Sequence, residues 1–157
     1  MKSFISTLDA QFERLHERCC AFVFLIPNDR IYWQPRETSG GLPIYSCGEY
    51  VLRSAGKVEQ TFGGITTKLW DDPFEWTLPE ELYDNAKILE YLNEVEATRQ
   101  RGFALLASDA DLSKEILAPA RLKTIFALLL ETLAQAENFQ GRAFATFRLF
   151  SDKSLPH

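Results

Sequence analysis

The side chains able to do chemistry are few and scattered. There are three cysteines, Cys19, Cys20 and Cys47, and two histidines, His16 and His157. An odd count with an adjacent pair argues against a disulfide framework. Adjacent residues on a helix point about 100° apart, which puts Cys19 in an apolar stripe and Cys20 beside it. Cys47 falls at a helix start, where the helix N-terminus can lower a thiol pKa, so it is the one candidate reactive thiol. A small buried residue in a first turn is the simpler reading of it. His16 borders the apolar stripe without a ligand-spaced partner and reads as a boundary residue. Asp71, Asp72 and Glu75 share one loop but lack calcium-loop spacing, and read as solvated acids. No Glu-x-x-His and no Cys-x-x-Cys occurs. The sequence therefore names no catalytic residue, and no metal or cofactor is expected.

The elements that would position these residues are helical. Phe4, Leu8, Phe12, Leu15, Cys19, Phe22 and Ile26 recur at three- and four-residue steps, predicting a helix over Ser3–Leu25. Pro27-Asn28-Asp29 ends it, and a connector over 28–45 follows, in which Trp33 is expected to cover one end of the core. Ser46-Cys-Gly-Glu49 is a capping box and opens a second helix. Its core stripe is Val51, Ala55, Val58, Phe62 and Ile65; Tyr50, Arg53, Ser54 and Lys57 fall on another side, and Gly63-Gly64 fray or end it. The connection from Thr67 to Glu80 is long for a bundle and rich in anchors, Leu69, Trp70, Phe74 and Trp76, so it is expected to be ordered. Thr77-Leu-Pro-Glu80 signals a third helix, running to about Leu106 with Ile88, Tyr91 or Leu92, Val95 and Phe103 inward and its last turn weakened by Gly102. After a polar break and a short turn over Lys114–Leu117, Pro119 marks the first turn of a fourth helix, Ala120 to Phe150. Leu122, Ile125, Phe126, Leu129, Leu133, Ala136, Ala143 and Phe147 form its main stripe, flanked by Leu128, Thr132, Gln135, Phe139 and Thr146. Four amphipathic helices without strand-like alternation predict one all-α domain over 1–157, an antiparallel four-helix bundle with a long crossover between helices two and three.

Charge and hydropathy limit the partners. The net charge is −5 and there is no basic tract, which disfavours nucleic acid. The longest apolar run, Cys19–Ile26, is far short of the roughly 20 residues of a membrane span. Lys2 and Asp9 do not frame a signal-like segment. A cytoplasmic protein is expected. The apolar flank of helix four leads to the expectation of a homodimer.

The run Trp33-Gln-Pro, then Ser46-Cys-Gly-Glu49-Tyr-Val-Leu-Arg53-Ser-Ala55, resembles the DinB-like (YfiT-like) superfamily. So do Trp70-Asp-Asp-Pro-Phe-Glu-Trp-Thr-Leu-Pro79 and the ending Phe139-Gln-Gly141-Arg-Ala-Phe-Ala-Thr-Phe-Arg148. The resemblance spans almost the whole chain. It implies a four-helix bundle, often dimeric, with a long crossover. Metal-binding members hold nickel or zinc with one histidine on helix two and two on helix four, four residues apart. Activities in the family include thiol-dependent transferases and isomerases.

Matched onto this sequence, those ligand positions fall on Arg53, Gln135 and Phe139. None is a histidine, and a cation at the first would repel a metal. Two readings follow. Arg53 and Lys57, with Gln135 and Tyr50, form a pocket for a small anionic ligand where the family holds its metal; or this side of helix two is solvated or filled by a structural network, with Arg53 paired to Glu131 or reaching Gln135. The functional expectation is a metal-free small-ligand binding or interaction module. The alternative is a metal- or thiol-dependent transferase or hydrolase, with Cys47 or the acidic loop supplying the chemistry.

Overall fold

The computed structural model describes residues 1–35, 44–73 and 79–157. Four helices carry the fold: α1 (Ser3–Leu25), α2 (Cys47–Thr67), α3 (Asn85–Ala104) and α4 (Ile125–Phe147). A two-stranded antiparallel hairpin, β1 (Glu115–Ala118) and β2 (Arg121–Thr124), precedes α4. This is the all-α four-helix arrangement that the apolar periodicity predicts.

Cross-helix contacts fix the helix directions. Asn85, at the start of α3, donates through Nδ2 to the Val23 carbonyl at the end of α1 (2.8 Å), while Arg99, near the end of α3, pairs with Asp9 near the start of α1. These two helices are antiparallel. So are α2 and α4: Cys47 meets Ala143, Ser54 meets Ala136 and Thr61 meets Thr132. Phe22 packs on Phe144 and Phe147, and Phe4 shares a groove with Phe126, so α1 and α4 run the same way. The order is up-down-down-up, and α2 and α3 are parallel neighbours. The chain must therefore travel back along the bundle between them. A helix of about 20 residues is about 30 Å long, and the connection over 68–84 reaches roughly 55 Å when extended, so its length is a requirement of the topology.

The core is aromatic. Phe12, Phe22, Phe62 and Phe147 are all buried; Phe12 meets Phe62 and Phe103 edge-on, with ring centroids 5.3 and 5.8 Å apart. Trp33 does cover one end, its ring 5.3 Å from Phe150, which lies 5.3 Å from Phe147. At the other end Asp109 accepts from the backbone N–H groups of Phe4 (3.2 Å) and Ile5 (3.0 Å), satisfying donors that the first turn of a helix leaves open.

Several sequence-based boundaries are corrected. Helix three starts at Asn85, with Asp84 as its cap accepting from the Lys87 N–H at 2.9 Å; Pro79 and Glu80 lie in a turn, and Thr77 lies outside the described residues. Asn85 is tied to the end of α1, which decides where α3 begins. Residues 115–124 are the hairpin, not a turn and a helix start. Pro119-Ala120 close it, pairing Ala118 with Arg121 and Glu115 with Thr124, and proline suits the second position of a β-turn. Thr124 then caps α4 by accepting from the Ala127 N–H at 3.1 Å. Leu122 and Phe126, expected inward, are 62 % and 41 % exposed, and Phe4 is 64 % exposed. Gly63-Gly64 do not end α2, which continues to Thr67 and closes on Lys68 at φ 59°. Gly64 is needed because the Trp70 ring stands 2.5 Å from where a Cβ would be.

Candidate functional site

Arg53 is half-buried on α2, and its guanidinium lies 4.0 Å from the centroid of the Tyr45 ring. Tyr45 packs edge-on against Tyr50 (5.6 Å), and Tyr50 faces Phe139 of α4 (6.5 Å). The Tyr50 hydroxyl accepts from the Tyr45 N–H at 3.2 Å. The capping box seen at Ser46 and Glu49 fixes the start of α2 and with it the direction of Tyr45. Ser54, the next residue on α2, donates to the Ala136 carbonyl at 2.8 Å, which holds Arg53 beside α4. Lys57, also half-buried, follows one turn along α2. The structure therefore brings Arg53, Tyr50 and Phe139 into one cluster and adds Tyr45, which sequence reasoning missed; its position before a capping box was the available signal. Gln135 is exposed. Glu131 is not the partner of Arg53: its carboxylate pairs with Lys123, because the hairpin places that ammonium over the first turns of α4.

A guanidinium stacked on a ring keeps its N–H donors at the rim of the plane, the geometry that binds carboxylate or phosphate side-on. With Lys57 adjacent, two cations stand on one helix face in a protein of net charge −5, and neither is without a partner. Among the described residues the corner consists of two cations and three aromatic rings, a chemistry that suits a small anion.

The thiols do not supply a nucleophile. Cys47 is fully buried and donates to the Ala143 carbonyl at 3.5 Å, and burial pushes its pKa up to about 12. This removes the reactive-thiol reading: the helix N-terminus acts here inside a closed core. Burial likewise raises Cys19 and Cys20 to about 11. The Cys20 sulfur lies 3.6 and 3.9 Å from the two ring nitrogens of His16. Burial disfavours the Cys20 thiolate that a nucleophile would need. His16 is held below 6.5, first by its own burial and then by the charge of Arg99, against the opposing Glu96, Glu17 and Glu13.

A second polar group, inside the bundle, was also missed. Arg99 is 3 % exposed and pairs with Glu96 and Asp9. Gln140, fully buried on α4, donates to the Leu15 carbonyl (3.0 Å) and to the Cys19 sulfur (2.9 Å). Both stand on the inward helical period, Arg99 between Val95 and Phe103 and Gln140 between Ala136 and Ala143, which was the readable signal. His16, Cys19, Ser54, Glu96 and Arg99 line a cavity of about 20 Å³, room for one water molecule. This group joins helices, and its inner cavity has no space for a substrate; on the outer side Asp9 and Arg99 also line an open groove of about 350 Å³ with Lys2 and Glu13.

In the crossover, Asp71 and Asp72 are exposed, and Asp72 accepts from Gln60 at 3.0 Å. Trp70 is half-buried and Leu69 is 62 % exposed; Phe74, Glu75 and Trp76 lie outside the described residues. Among the described residues, no three His, Cys, Asp or Glu side chains gather as a metal ion would require, and no helix is long and apolar enough to cross a membrane. No protein-family model, curated protein or solved structure matches the chain.

Proposed function

We propose that this chain is a DinB-like (YfiT-like) bundle that has exchanged the family's metal site for a small-anion site, and acts as a ligand-binding or interaction module. The observation that carries the reading is the Arg53 guanidinium stacked 4.0 Å over Tyr45, at the position matched to the family's helix-two ligand. Phe139, matched to a helix-four ligand, belongs to the same aromatic cluster through Tyr50. An arginine there disfavours a divalent cation and favours carboxylate or phosphate. The long α2–α3 crossover and the up-down-down-up order support the family reading. Three free thiols favour a cytoplasmic location. The exposed Phe126 and Leu130 on α4 support a homodimer.

The test is thermal denaturation of the tag-free protein with inorganic phosphate, sulfate, acetate, nickel or zinc added. Phosphate or a carboxylate should raise Tm in a saturable way, and Arg53→Gln should abolish the rise while leaving the Tm of the anion-free protein within a few degrees. A rise with nickel or zinc at one ion per chain would restore the metalloenzyme alternative and defeat this reading.

A further inference from the structure

The register of the hairpin decides which of its backbone groups are used. Lys114 accepts from the Ile125 N–H at 2.9 Å. In an antiparallel pair, hydrogen-bonded positions recur at every second residue. In this register they are Ile116 with Lys123 and Ala118 with Arg121. Glu115 and Leu117 fall between them, so their N–H and C=O groups point away from β2. Among the described residues, no hydrogen bond reaches those groups.

A groove of about 370 Å³ runs along β1. Glu115, Ile116 and Leu117 line one side of it; Lys68 and Trp70, which follow α2, line the other. No described residue of β2 takes part, which puts the groove on the open edge of β1. Both sides are held to the bundle. Ala118 is buried and Thr124 caps α4, while the Trp70 ring is seated against Gly64.

We propose that this groove takes an extended peptide segment of a partner protein, which adds to β1 as a third strand. Three observations select that occupant. The open donors and acceptors of Glu115 and Leu117 have the two-residue spacing of a strand, and an extended backbone matches them. Apolar surface from Ile116, Leu117 and Trp70 suits an alternate side chain of such a strand. The groove carries one charge of each sign, Lys68 and Glu115, which fits a peptide of little net charge better than a small anion. The groove lies at the C-terminal end of α2, away from Arg53, and the proposal is independent of the anion site.

The test uses NMR of the full chain with the blocked peptide acetyl-Ser-Val-Thr-Val-Ser-amide, whose valines favour a strand. Without peptide, the Glu115 and Leu117 amides should exchange with solvent faster than the Ile116 amide. Peptide at millimolar concentration should slow that exchange and shift both amides and the Trp70 indole saturably. The same peptide N-methylated at both valines should lose at least tenfold in affinity, because it cannot donate to the edge. Leu117→Pro removes an outward N–H and leaves the β1–β2 ladder intact, as proline is tolerated on an edge; it should weaken binding at least tenfold with native helicity by circular dichroism. If that variant loses helicity, the N-methylated peptide decides. Edge amides protected without peptide, no saturable shift, or equal binding of the N-methylated peptide would each overturn the proposal. The same shifts on concentrating the protein alone would also overturn it, since the edge would then pair with a second copy.

Discussion

A methyl group added at Gly102 would stand 2.4 Å from the Phe62 ring, in a cluster where Phe12, Phe62 and Phe103 already pack on one another. A buried ring between packed neighbours cannot move aside at no cost. Gly102→Ala should therefore destabilise the protein by about 1–3 kcal/mol despite alanine's better helix propensity, as urea denaturation would show; a neutral or stabilising result would mean that the ring relaxes. Read from sequence, the same glycine is only a weakness in a last turn, because pattern cannot see what approaches it from another helix. His16 gives a second prediction. Its folded pKa lies below 6.5, so as pH falls through 6.5 the unfolded chain takes up the proton first and stability declines. The loss levels off once the folded pKa is passed, then resumes as carboxylates titrate. Burial opposes the charge of Glu96, but its hydrogen bonds to Arg99 win and hold it low; Asp111 is held at about 2, first by Lys114 and then by backbone N–H groups. His16→Gln should flatten the stability profile just below pH 6.5 and leave the more acidic loss intact, measured as urea midpoints across pH. A profile unchanged by the substitution would contradict the assignment.

At the scale of elements, the strongest local signal was also the most accurate. Ser46 accepts from the Glu49 N–H at 3.2 Å, and the Glu49 carboxylate accepts from the Ser46 N–H at 3.0 Å, as their spacing predicts. Ser46 is fully buried, so water cannot replace the lost bonds. Ser46→Ala should cost about 1–2 kcal/mol, and because Tyr45 precedes the cap it should also disturb the stacking on Arg53. A change in stability below a few tenths of a kcal/mol would show that the cap does not hold this end. The hairpin was illegible for a physical reason. Ile116, Leu117 and Leu122 suit a helix as well as a short strand, and Pro119 is as common in a helix's first turn as at the second position of a turn. What decides is Thr124, whose capping bond to Ala127 starts α4 five residues later than the apolar pattern suggests. The start of α3 was misplaced similarly: its site is set by Asn85 gripping the end of α1, a contact across more than sixty residues that no local pattern carries.

For the molecule as a whole, the helix stripes were readable because burial repeats with the helical period: Phe12, Val51, Ile88 and Leu129 all face the core as expected. The path of the chain was readable in part, since so long a connection between α2 and α3 already implies a return along the bundle. The site was half legible. Arg53, Tyr50 and Phe139 do meet around one corner, whereas Gln135 turns to solvent and Tyr45 completes the cluster from the connector. On the proposed reading, the α2–α4 corner is where a ligand would meet charge. The central claim is that this corner takes an anion and not a metal. Its most direct test is an NMR titration of the tag-free protein with inorganic phosphate, then separately with zinc, following the Arg53 side-chain Nε–H and the Tyr45 ring. The account predicts saturable shifts at both groups with phosphate, lost in Arg53→Gln, and none with zinc. Stoichiometric zinc binding that moves these resonances, or phosphate that leaves them unmoved, would contradict it.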